Sequence, residues 1–127
     1  MSISVALERL SAEVARLGPS PYLLTVADDG RPHAVAISAS WEGDGLVARV
    51  GKRSASNIAA RPLVSLLWPP AEVGGYSLIV DAAAALRGSG EEVQARLTPT
   101  RGVLHRPASG PPAPGSSCSA DCVPLLR

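Results

Sequence analysis

The chain is expected to be mostly β: a small antiparallel barrel of about six strands, with an N-terminal helix and one short helix between strands three and four. Three observations carry this expectation. Runs of Val, Ile and Leu recur between turn signals such as Asp28-Asp29-Gly30 and Glu42-Gly43-Asp44-Gly45. Turns this tight join neighbouring strands into an antiparallel meander. Many short strands on 127 residues also favour closure, which removes unpaired edges.

The elements follow in order. Ile3, Leu7, Leu10, Val14 and Leu17 recur at steps of four and three, which predicts one amphipathic helix over residues 3–17. Ser2 or Ser4 can cap its start, and Gly18-Pro19 ends it. Residues 22–27 form the first strand. Asp28-Asp29-Gly30 then turns the chain, because Asp and Gly tolerate positive φ. The second strand runs over 32–40 and the third over 46–50. Ser54 to Ala60 reads as the short helix, stopped by Pro62. Strands follow at Leu63 to Trp68, Tyr76 to Leu86 and Glu92 to Thr98, with a short last piece at Arg101 to His105. The barrel domain is therefore placed at residues 1–106. Residues 107–127 form a Pro/Gly/Ser-rich tail that cannot fill a core.

Composition narrows the function classes. The hydrophobic fraction of 46% suffices for a core, but aromatics are 3%, with no Phe. The interior must be built from 20 Ala, 15 Leu, 12 Val and 4 Ile, which bury little area per residue in a domain already short of interior. Pairing into a homodimer is expected to supply the missing burial. A net charge of +1 argues against nucleic acid as a partner. No window approaches the apolar length of a membrane-spanning helix, so no membrane is expected. Glu8, Arg9 and Glu13 interrupt the stretch where an export signal would be apolar. With Cys118 and Cys122 as the whole cysteine complement, the expected compartment is the cytoplasm, with reduced thiols.

The most informative stretch is Val50-Gly51-Lys52-Arg53-Ser54-Ala55-Ser56-Asn57. A strand ends, two cations follow and a helix begins. A helix start offers unpaired amides and the positive end of a dipole, so it attracts anions. Lys52, the one lysine of the chain, and Arg53 add full charges, the arginine as a planar fork for phosphate oxygens. Ser54, Ser56 and Asn57 add donors. Together they make a candidate cradle for one phosphate group; an ordinary solvated loop is the competing explanation.

Strand, basic loop, Ser-rich helix start, Asn and then Arg61-Pro62-Leu63-Val64-Ser65-Leu66-Leu67 resemble the FMN-binding split barrel of the pyridoxamine 5'-phosphate oxidase-like superfamily. Leu23 to His33 is similar to that family's opening hairpin, and the ordered likeness extends over about residues 5–106. The resemblance implies a split barrel and a homodimer with the cofactor at its interface. It also implies a flavin- or deazaflavin-dependent oxidoreductase moving hydride to or from a small-molecule substrate. The implied cofactor is FMN, with an 8-hydroxy-5-deazaflavin coenzyme as the alternative and haem as a less favoured one. By the same resemblance Lys52, Arg53, Ser54 and Asn57 hold the cofactor phosphate. Ala36, Ile37 and Ser38 line the ring, and Trp68 and Pro69 lie near ring or substrate. Many family members carry a basic residue three positions before the Asn, where this chain has Ser54; the charge has moved to Lys52 and Arg53. The rival expectation is a non-catalytic flavin or haem carrier, or a degenerate barrel without cofactor.

No side chain is assigned as a catalytic acid or base, because a flavin carries its own chemistry. His33 and His105 are expected at the surface. Cys118-x-x-x-Cys122 lacks a compact second ligand pair, so no metal site is assigned. Gly88-Ser89-Gly90 is a turn, and the Trp68 to Gly75 segment is a connector or a loop that closes over a ligand.

Overall fold

The structure is a computed structural model and describes residues 1–107. In chain order it contains β1 (Ser2–Val5), a 3-10 turn (Leu7–Arg9), α1 (Leu10–Leu17), β2 (Tyr22–Val26), β3 (Pro32–Ala36), β4 (Ala39–Glu42) and β5 (Gly45–Arg49). There follow α2 (Lys52–Ala60), β6 (Leu63–Trp68), β7 (Ser77–Arg87), a second 3-10 turn (Gly90–Glu92) and β8 (Gln94–His105). The strands form one antiparallel sheet in the order β3-β2-β6-β7-β8-β5-β4, with β1 added alongside β8. The chain just after β3 returns to the segment before β2: Ile37 N–H donates to Pro21 O at 2.9 Å and Ala39 N–H to Pro19 O at 2.8 Å. These two bonds bring the ends of the sheet together and produce a split-barrel-like wall, as the sequence predicts.

The core is the small-aliphatic one that the composition requires. Leu10, Leu23, Leu46, Ile58, Leu66, Leu78, Val80 and Leu97 are fully enclosed, each contributing roughly 1.5–3 kcal/mol through burial. Trp68, at 1% exposure, is the largest side chain among them. Leu10 seats α1 on β8 by lying over Gly102. A Cβ at that glycine would stand 2.6 Å from Leu10 Cδ2, so only a residue without a side chain lets helix and strand approach this closely.

Four expectations need correction. Residues 3–17 are not one helix. Ser2-Ile3-Ser4-Val5 alternate as well as they fit a helical stripe, and the open edge of β8 captures them as β1, with Ile3 opposite Leu104. Only Leu10–Leu17 are α-helical. The predicted strand over 32–40 is two strands, because Ile37 and Ala39 spend their amides on Pro21 and Pro19, while β4 goes on to pair with β5. The two predicted pieces after residue 92 are one strand, β8. Pro99 lacks an N–H and should interrupt it, but a register shift at Asp81/Ala82 absorbs the irregularity. The described residues thus hold eight strands rather than about six. Finally, α2 starts at Lys52, two residues earlier than predicted.

Candidate functional site

Strand β5 gives way at Val50, whose N–H still reaches Val93 O at 3.1 Å. Gly51 is extended, and α2 begins with Lys52 and Arg53. Its first helical bond runs from Ala55 N–H to Gly51 O at 2.9 Å. The amides of Lys52, Arg53 and Ser54 therefore have no acceptor within the helix. Gly51 supplies no capping side chain, and the first turn holds no acidic residue. Instead it holds two cations at the positive end of the helix dipole, a placement that is electrostatically unfavourable by itself. Both side chains are exposed, and neither makes an ion pair with another described residue.

The opposite face of α2 is buried. Helical periodicity places Ser54, Asn57 and Ile58 together, at 2%, 4% and 2% exposure. The Asn57 side-chain amide donates to Thr25 Oγ1 on β2 at 2.9 Å. The four residues predicted to hold a phosphate are thus divided: Lys52 and Arg53 face solvent, while Ser54 and Asn57 face the barrel.

Arg53 lines a cavity of about 540 Å³ that it shares with the β2–β3 hairpin, including Asp28, Asp29, Arg31 and His33. The two carboxylates are occupied. Asp28 accepts from Arg61 at 2.7 Å, and Asp29 accepts from the Arg31 amide at 3.1 Å. His33 stands opposite Thr25 in the β2–β3 register, so it shares the face that meets α2. Its Nδ1 is buried without a hydrogen-bond partner among the described residues. The histidine as a whole is half-buried, so the surface position expected from the sequence holds for part of the ring, while Nδ1 is turned inward by the register that the Asp28-Asp29-Gly30 turn sets. His105 lies elsewhere, with Nδ1 3.0 Å from the Ser2 hydroxyl.

The remaining predicted residues do not line this cavity. Ala36 and Ser38 are exposed at the end of β3 and in the link to β4, while Ile37 between them is buried. Trp68 is enclosed in the core and its Nε1 donates to Gly18 O at 2.8 Å, so within one subunit no face of the indole is open to a ring. Pro69 is exposed beyond it. Cys118 and Cys122 lie outside the described residues. Among the described residues no three His, Cys, Asp or Glu side chains are grouped to hold a metal ion, and no helix is long and apolar enough to cross a membrane.

A second concavity, about 430 Å³, lies across β2, β6, β7 and β8. Leu24, Val26 and Leu63 supply its apolar surface, and Ser65, Asp81 and Thr100 its polar groups. Leu63 is 74% exposed there.

No family model matches the chain. Two uncharacterized proteins, from Mycobacterium bovis and Mycobacterium tuberculosis, are each 37% identical over 133 residues, covering 94% of this chain and 93% of the relative. Among solved structures, a Listeria innocua protein provisionally named a pyridoxamine 5'-phosphate oxidase superposes with a TM-score of 0.64. It is 17% identical and covers 78% of this chain and 98% of its own. The FAD binding protein of Mycobacterium smegmatis gives 0.60, at 14% identity and coverages of 84% and 100%. The heme storage protein HutZ of Vibrio cholerae gives 0.58, at 17% identity and coverages of 78% and 94%. At these identities the structural likeness carries the fold.

Proposed function

This chain belongs to one family with the two mycobacterial proteins and has the fold of the pyridoxamine 5'-phosphate oxidase-like FMN-binding split barrels; on that footing we propose that it is a flavin- or deazaflavin-dependent oxidoreductase acting on a small molecule. One observation carries the reading: α2 opens with two cations that have no ion-pair partner among the described residues, with no side-chain cap and no acid in the first turn. Such a start is relieved by an anion, which supplies acceptors to the free amides and a counter-charge to Lys52 and Arg53. A phosphate ester fits that donor set. Charge-assisted contacts of this kind are worth about 1.5–3 kcal/mol each.

In this reading Lys52 and Arg53 bind the phosphate, with the helix amides between them. Ser54 and Asn57 act from behind: by holding α2 against β2 they fix where the cations stand. The exposed small residues Ala36 and Ser38 leave room for a flat ring against the sheet. A flavin, when bound, supplies the hydride chemistry; the protein supplies position and electrostatics. The concavity around Leu63 is the proposed homodimer face, with the ring bound at that interface. Pairing there would cover apolar surface that the small-aliphatic core cannot bury in a monomer.

A second reading, a carrier that holds flavin or haem without turnover, draws support from the inward direction of Ser54 and Asn57. It leaves two cations where a four-residue cradle is expected. The visible absorption spectrum of the purified protein, followed by titration with FMN and with the deazaflavin coenzyme, tests both. A flavin or deazaflavin band with saturable binding supports the oxidoreductase and selects its cofactor. A Soret band supports the haem carrier. Binding of neither ring overturns the proposal.

A further inference from the structure

The cavity of about 540 Å³ that Arg53 shares with the β2–β3 hairpin is also lined by His33, a residue with a hydrogen-bonding group that does not come from α2. The charges on this lining are unevenly matched. Asp28 is paired with Arg61 at 2.7 Å, and Asp29 with Arg31 at 3.6 Å. Arg53 has no ion-pair partner among the described residues. The lining therefore presents one uncompensated charge, and it is positive.

The two ring nitrogens of His33 differ. Nδ1 is buried without a hydrogen-bond partner among the described residues, whereas Nε2 is not enclosed. The hydroxyl of Thr25, opposite His33 in the register, is already bonded by the Asn57 amide. A neutral imidazole carries one N–H and one bare nitrogen. A proton on Nδ1 would be a buried N–H without an acceptor, and in folded chains orphaned N–H groups are rarer than orphaned acceptors. A proton on Nε2 has the open cavity before it, and that tautomer is also the one that free histidine prefers. The single donor of the ring therefore belongs on the cavity side.

We infer that His33 is a binding residue for the anion of this cavity: Nε2–H donates to an oxygen of a phosphate monoester whose charge is met by Arg53. The inference rests on the proposed function, in which α2 receives a phosphate, and adds a donor from β3. A phosphate monoester has three terminal oxygens, enough for the helix amides, the two cations and one further donor. A neutral N–H brings direction without charge, so it favours an acceptor oxygen over a cation or an apolar group.

The test uses the full-length protein and reads the imidazole nitrogens by long-range proton–nitrogen correlation NMR. His33→Gln identifies the signals of His33, and His105, whose Nδ1 lies 3.0 Å from the Ser2 hydroxyl, is the control. Without ligand, Nδ1 of His33 should resonate as a bare nitrogen and Nε2 as a protonated one. Inorganic phosphate, titrated against chloride at constant ionic strength, should shift Nε2 saturably and leave His105 unchanged. An Nδ1–H tautomer, or no phosphate-dependent shift at Nε2, overturns the inference whether or not a flavin binds. Affinities for FMN and riboflavin, which differ by the phosphate, give the second arm. His33→Leu should weaken FMN binding about tenfold and leave riboflavin within about twofold. His33→Gln, whose amide nitrogen can stand where Nε2 stood, should recover most of the loss. Equal losses for FMN and riboflavin would assign His33 to packing alone, overturning the inference while the flavin reading stands. If FMN does not bind the native protein, the flavin reading fails, and the phosphate shift at Nε2 alone decides the role of His33.

Discussion

The side-chain amide of Asn57 on α2 donates to the hydroxyl of Thr25 on β2 at 2.9 Å, and both residues are buried. This bond spans 32 residues of sequence and fastens the helix to the wall of the barrel. Asn57→Ala removes one partner and leaves a buried hydroxyl to be satisfied otherwise. A loss of about 1–3 kcal/mol is expected in urea denaturation. Thr25→Val combined with Asn57→Ala is expected to cost less than the sum of the single changes. Strict additivity in that cycle would show that the bond contributes nothing.

Lys52 and Arg53 stand where the helix dipole disfavours them. Replacing both with Glu should therefore move stability and binding in opposite directions. Cofactor-free protein should gain about 0.3–1 kcal/mol per residue, while FMN affinity should fall by at least tenfold. Thermal melts with and without FMN check both halves. A stability loss together with unchanged affinity would sink the phosphate assignment.

Gly102 is the contact surface for Leu10. Gly102→Ala places a Cβ 2.6 Å from Leu10 Cδ2, so the leucine or the helix must shift. Overpacking of this kind costs about 1–3 kcal/mol. Leu10→Ala in the same chain should relieve the clash while creating a cavity, so the double variant should be more stable than the summed single losses predict.

Two surface carboxylates tie stability to pH. Glu42 is held below the usual carboxylate range by its hydrogen bonds and charge pairing with Arg87, and Asp44 by the same contacts with Arg96. A carboxyl lowered in the folded state favours folding at any pH above its unfolded value. That contribution disappears as pH falls through the folded value, because the unfolded chain takes up protons first. Denaturation midpoints should therefore decline as pH drops through and below the usual carboxylate range. Arg87→Met should flatten the decline, as should 1 M salt, since these groups are exposed. A slope indifferent to both would refute the linkage.

The proposed dimer face centres on Leu63, 74% exposed beside Leu24 and Val26. Dilution should lower the melting temperature of the native protein if subunits pair there. Leu63→Asp should shift the sedimentation profile to monomer and remove the concentration dependence. A melting temperature insensitive to concentration would exclude pairing.

Much of the architecture was legible because its signals are local. Asp28-Asp29-Gly30 turns the chain whatever surrounds it, and Leu63 to Trp68 reads as a strand from composition and from its flanking prolines. The basic start of α2 was legible too, because a strand end, a glycine and two cations are consecutive. The division of that segment was not. Lys52 and Arg53 turn outward while Ser54 and Asn57 turn inward because only one face of α2 meets β2, and spacing alone does not say which. Ser2 to Val5 satisfied a helical stripe and an alternating strand equally well. The open edge of β8, about a hundred residues away, decided for the strand. Closure through Pro19 and Pro21, and the burial of Trp68 and of His33 Nδ1, were decided the same way. Local chemistry determined which segments turn, extend or coil. Which side chain faces an interior depended on partners distant in sequence, because burial and hydrogen bonding are settled between elements and not within them.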